Sequence, residues 1–176
     1  MNKYLPVILL TSLSLFGCIG SPEGVYPVTG FQLSAYLGKW YEIARLDHSF
    51  ERGMSSVTAT YSMRDDGGVE VLNKGFKDDA QEWSEAEGKA YFVESSDIGH
   101  LKVSFFGPFY GSYIVFELDA VDYQYAFISG MNADYLWLLA RTPTVSDELA
   151  EHFIQSASAL GFDTEQLIFV DQRQSQ

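Results

Sequence analysis

Between Trp40 and Arg141 apolar and polar side chains alternate in short runs, broken by clusters of Gly, Asp, Ser and Pro at fairly regular spacing. In the clearest run, residues 56–63, Val57, Ala59, Tyr61 and Met63 alternate with hydroxyl side chains, and a period of two predicts a strand with one apolar face. Asp65-Asp66-Gly67-Gly68 supplies a tight turn, because glycine takes positive φ freely, and residues 69–76 return antiparallel. Further runs at 40–46, 86–94, 101–106, 113–119, 123–129 and 135–141 bring the count of strands to eight. Strands do not alternate with helices and no repeat is present, which argues against a parallel sheet and a propeller. The pattern predicts an all-β protein, an eight-stranded antiparallel up-and-down β-barrel.

The joins sharpen this picture. Those at 64–68 and 120–122 are short, whereas 47–55, 77–84, 107–112 and 130–134 are longer. Alternate joins of a meander lie at the same end, so one end should be tightly closed while the longer loops ring a mouth. After Arg141 the period changes: Leu149, Phe153, Ala157 and Leu160 fall at helical spacing, behind Thr144 or Ser146 as a cap and ahead of Gly161 as a stop. This single C-terminal α-helix is expected outside the barrel, its apolar stripe against the wall. Residues 167–170 offer a last short strand, and 172–176 read as a frayed polar tail.

The start of the chain has a different character. Residues 1–17 carry Lys3 and then a leucine-rich run too short to span a bilayer, the form of a signal peptide. Leu15-Phe16-Gly17-Cys18 resembles a bacterial lipobox, which implies a Cys18 acylated after cleavage; an ordinary signal followed by a buried thiol is the alternative. Residues 18–29, with Gly20, Ser21, Pro22, Gly24 and Pro27, read as a tether, leaving 30–176 as a single barrel domain.

Charge and composition remove several function classes. A formal charge of −13 disfavours nucleic acid, whose binding needs clustered Lys and Arg. It also disfavours adsorption to an anionic membrane, so residence there needs an anchor such as acylated Cys18. No Gly-x-Ser-x-Gly elbow, His-Glu-x-x-His pair or glycine-rich phosphate loop is present, and His48, His100 and His152 fall in three unlike segments. We therefore expect no enzyme, no metal and no cofactor.

The octet Gly38-Lys39-Trp40-Tyr41-Glu42-Ile43-Ala44-Arg45 resembles the first signature of the lipocalins, and Asp134-Tyr135 followed by Arg141 continues the family's order. Phe105–Gly111 (Phe-Phe-Gly-Pro-Phe-Tyr-Gly) and Asp134–Pro143 look like the bacterial outer-membrane lipoprotein lipocalins, which are similar to apolipoprotein D. The resemblance implies that Gly38, Trp40 and Arg141 form the structural signature, with Arg141 packed across the Trp40 indole at the barrel floor. It also implies anchoring to the bacterial outer membrane, facing the periplasm. One cysteine allows no internal disulfide.

Counting inward from Trp40, alternation assigns the lining to Ala59, Tyr61, Val71, Ala86, Ala90, Phe92, Leu101, Val103, Phe105, Tyr113, Val115, Tyr125, Phe127, Trp137 and Leu139. His48, Arg52, Tyr110 and Asn132 are candidates for a headgroup at the mouth, and Glu42 is an unusual inward acid, expected to meet Arg141 or water. An apolar tube suits an acyl chain, since about fifteen methylenes at about 0.8 kcal/mol each give a gross gain near 12 kcal/mol before ordering costs. The resemblance implies a fatty acid or lysophospholipid ligand, held for storage, transport or repair of the envelope. Two alternatives remain: a lipocalin-fold enzyme acting on a lipid or isoprenoid, and an interaction protein that uses Phe109 and Tyr110 to dock or to form a homodimer.

Overall fold

The structure, a computed structural model, describes residues 19–173. Residues 1–17, read above as a signal peptide, and Cys18 lie outside the described residues. Eight antiparallel strands, β1 (Gly38–Arg45), β2 (Met54–Met63), β3 (Val69–Lys77), β4 (Glu82–Phe92), β5 (His100–Ser104), β6 (Gly111–Leu118), β7 (Tyr125–Ser129) and β8 (Leu136–Ala140), pair in sequence order. The sheet closes because β1 pairs with both β2 and β8. Closure leaves no free edge along the barrel, which is how an all-β chain without a disulfide avoids edge-to-edge association. Inside and outside each hold a buried apolar cluster, so the wall is covered on both faces over part of its circumference.

The floor is built by the four-residue helix α1 (Leu33–Tyr36), too short to stand alone and pinned by what it covers. Trp40 is fully buried there and donates from Nε1 to the Tyr36 carbonyl at 2.7 Å. Helix α2 (Asp147–Ala159) is capped by Ser146, whose hydroxyl accepts from the Leu149 amide, and ends before Gly161 at φ +82°. Phe153 and Ala157 from α2 are buried against Ile114, Phe127 and Leu138 on the outer wall.

At the open end the β1–β2 seam is completed by the C-terminal segment. Register between the two strands runs from Gly38↔Tyr61 to Tyr41↔Thr58; beyond that, the two-residue strand β9 (Ile168–Phe169) takes the place beside Ala44 and Arg45. Gln172, expected in a frayed tail, is buried, and its amide donates to the carbonyls of Glu42 at 2.7 Å and Val57 at 2.9 Å. The stretch expected as a tether is likewise strapped to the wall: Val25 is buried, Val28 donates to Val115 and accepts from Gly99, and Thr29 pairs with Ile98.

Two lining assignments are corrected. Tyr125 and Phe127 face outward beneath α2, with the Phe127 ring 4.9 Å from that of Phe153, while Ala126 and Ile128 point inward. Because α2 covers this strand, both of its faces are apolar, and alternation could not say which was inside. A bulge between Val115 and Glu117 shifts the pairing register just before β7, and a one-residue offset exchanges the faces.

Candidate functional site

The barrel holds a narrow apolar cavity of about 100 Å³, which shares Phe50, Glu51, Val57, Asn73, Val103 and Phe105 with a wider vestibule of about 560 Å³. Ala59, Tyr61, Val71, Ala90, Leu101, Val103, Phe105, Tyr113, Trp137 and Leu139 line the inner chamber. Ala86 lines only the vestibule, while Phe92 and Val115 belong to the interior cluster but not to the chamber wall. Room for the Phe105 ring comes from Gly88 on β4, where a Cβ would lie 2.8 Å from it.

At the floor of the chamber three tyrosine hydroxyls form a chain: Tyr36 to Tyr113 at 2.6 Å and Tyr113 to Tyr61 at 2.8 Å. Burial pushes all three phenols upward, so each keeps its proton at any ordinary pH. Beneath them Arg141 lies over Trp40 and donates to the carbonyls of Ala35, Tyr36, Leu37 and Lys39, closing the base from outside.

The upper chamber carries a polar ledge that alternation did not foresee. Glu42 does face inward, but it meets Arg45, not Arg141: the Arg45 Nη1 donates to Glu42 Oε1 at 2.7 Å, and its Nη2 donates to the carbonyls of Glu51 and Met54. Arg45 reaches this position because a bulge in β1 between Glu42 and Ala44 lets Ile43 and Ala44 both face out. Two apolar residues between an acid and a base, out of step with strict alternation, were the signal in the sequence. Burial pushes the Glu42 carboxyl well above the usual range, the Glu51 charge adds to this, and Arg45 only partly offsets it. Burial also raises the Glu51 carboxyl, with the Trp137 hydrogen bond and the Arg45 charge partly offsetting it. Glu51 in turn accepts from Trp137 Nε1 at 3.2 Å. Asn73 Oδ1 and Ser112 Oγ are buried on the chamber wall with no protein partner.

The four mouth candidates are not brought together. His48 is buried, its ring stacked on Phe50 at 4.1 Å and packed against Trp137 at 5.0 Å; burial lowers its pKa to about 4, with the Arg45 charge adding to the effect. Arg52 is exposed and paired with Asp47. Tyr110 packs outside the barrel, 6.4 Å from Tyr91 and beneath the Lys102 ammonium. Asn132 is a turn residue whose side chain accepts from the Asp134 amide. Among the described residues no three His, Cys, Asp or Glu side chains are grouped to hold a metal ion, and no helix is long and apolar enough to cross a membrane.

Residues 31–172 match the family model described as a lipocalin-like domain. The chain is 61% identical over 166 residues to the outer membrane lipoprotein Blc of Vibrio cholerae serotype O1, covering 94% of this chain and 97% of that one. It is 53% identical over 151 residues to the protein of the same name from Escherichia coli K12, covering 86% and 85%. Among solved structures, insecticyanin from the tobacco hornworm Manduca sexta superposes with a TM-score of 0.68 at 22% identity over 86% of each chain, a likeness of fold.

Proposed function

The chain belongs to the lipocalin family, and from that premise we propose that its barrel carries a single-chain lipid, a fatty acid or a lysophospholipid, for storage, transport or repair in the bacterial envelope. The observation that carries this reading is one continuous apolar tube, with a tyrosine floor and a polar ledge at its upper end. Such a tube accepts a chain of methylenes and places the head near the ledge.

Between the two ligands the ledge favours a lysophospholipid bearing an ammonium group. Glu51 and the unsatisfied Asn73 oxygen suit a donor or a cation, whereas a free carboxylate would be set beside the buried Glu42 and Glu51 carboxyls. The relatives' printed name, outer membrane lipoprotein, together with the lipobox, supports acylation of Cys18 and residence at the outer membrane on its periplasmic side.

Mass spectrometry of lipid extracted from the purified protein tests the reading, with added lysophospholipid titrated against Trp137 fluorescence. A stoichiometric single-chain lipid and saturable quenching are expected. An empty barrel that quenches with no acyl ligand would overturn it, and lipid recovered chemically altered after incubation would favour an enzyme.

A further inference from the structure

The strap that precedes α1 runs the full height of the wall. Near the floor, Val28 is held between Val115 and Gly99. Midway, Gly24 lies against Leu160 and Val25 is buried. At its start a Cβ on Gly20 would lie 3.6 Å from the carbonyl oxygen of Met131, in the loop between β7 and β8 at the open end. The Met131 methyl lies equally close to Gly111, where the loop between β5 and β6 returns to the barrel. The described strap therefore begins beside the mouth, and Cys18 is the residue that directly precedes it in the sequence.

The same end presents unusual side chains. Phe106 and Phe109 on the loop between β5 and β6 are 80% and 79% exposed, and Phe50 on the loop between β1 and β2 is half exposed. These three rings also line the vestibule through which the cavity opens. A large exposed aromatic group at the rim of an apolar tube marks a surface that is covered in use, and rings of this kind settle in the interfacial layer of a bilayer.

We propose that the open end of the barrel docks on the bilayer surface, with Phe106 and Phe109 in its interfacial layer, so that lipid passes between membrane and cavity without crossing bulk water. The proposal rests on the reading of Cys18 as an acylated residue: with the strap packed along the wall, an anchor there leaves almost no slack to turn the mouth away. The charge of −13 gives no attraction to anionic headgroups, so the contact is apolar and is expected on zwitterionic vesicles with little dependence on salt.

The test uses the acylated full-length protein in phosphatidylcholine vesicles containing brominated lipid. A fluorescent label is placed at an introduced thiol, either Ala133→Cys at the open end or Asp65→Cys at the closed end; both positions are exposed and neither lines the cavity. Quenching at least threefold stronger at position 133 is expected, reduced severalfold by adding Phe109→Ser. Equal quenching at both positions, stronger quenching at 65, or none at either overturns the docking. So does a dimer cross-linked through position 133 that leaves the label unquenched. Unmodified Cys18 in the mass of the N-terminal peptide would also overturn it, while leaving the barrel's lipid content, measured separately, to decide the carrier reading.

Discussion

The guanidinium of Arg141 lies 3.9 Å from the centre of the Trp40 ring and is bonded to four backbone carbonyls of the segment that closes the floor. One side chain thus holds together the first strand, the last strand and α1. A lysine could keep the charge over the indole but has a single nitrogen to offer those carbonyls. Arg141→Lys is expected to lower stability by about 2 kcal/mol, read as a drop in the urea midpoint at unchanged slope.

Ala59 and Ala90 sit on the chamber wall with space in front of them. Ala90→Trp places an indole where an acyl chain would lie. Acyl affinity is expected to fall at least tenfold, about 1.4 kcal/mol, with the circular dichroism spectrum retained; Ala59→Trp should act the same way. Unchanged affinity in both would show that the ligand lies elsewhere.

His48 is neutral in the fold because its ring is packed between Phe50 and Trp137. Its pKa is depressed from an ordinary 6.5 to about 4, so the unfolded chain binds more protons across that interval. Stability from this group is therefore present above pH 6.5 and lost as pH falls toward 4, by up to about 3 kcal/mol. Glu42 has the opposite sign: its raised pKa costs stability as pH rises above the ordinary 4.5. His48→Phe keeps the stack and removes the first effect, so its denaturation midpoint should fall, not rise, as pH increases from 4.5 to 6.5.

Glu51→Gln removes the Glu51 carboxylate from the ledge while leaving an oxygen to accept from Trp137. Affinity for lysophosphatidylethanolamine is expected to drop about tenfold, against less than threefold for a neutral monoacylglycerol, measured by quenching of Trp137. Equal losses for the two lipids would mean that the ledge does not read the headgroup.

The barrel was legible in the sequence because several of its strands have one wet face, and Ala59, Tyr61 and Val71 therefore announce their direction. β7 was not, since α2 makes both of its faces dry and only the chain's path fixes which side Phe127 takes. The ledge escaped for a related reason: Arg45 turns inward through a bulge, and a bulge is a local departure from the period that alternation assumes. His48 looked like a loop residue, and its burial depends on Phe50, Tyr135 and Trp137 arriving from separate segments.

Tyr36, Tyr113 and Tyr61 have three hydroxyl protons and only two contacts among themselves. One bonding position is therefore left over at the deepest point of an otherwise greasy shaft. A terminal methyl pushed against it would displace whatever water satisfies it and return nothing, whereas a tail stopping one or two carbons short would leave that water in place. The trio then acts as a ruler for tail length: across a series of saturated lysolipids, affinity should climb with each added carbon and turn down once the methyl reaches these rings.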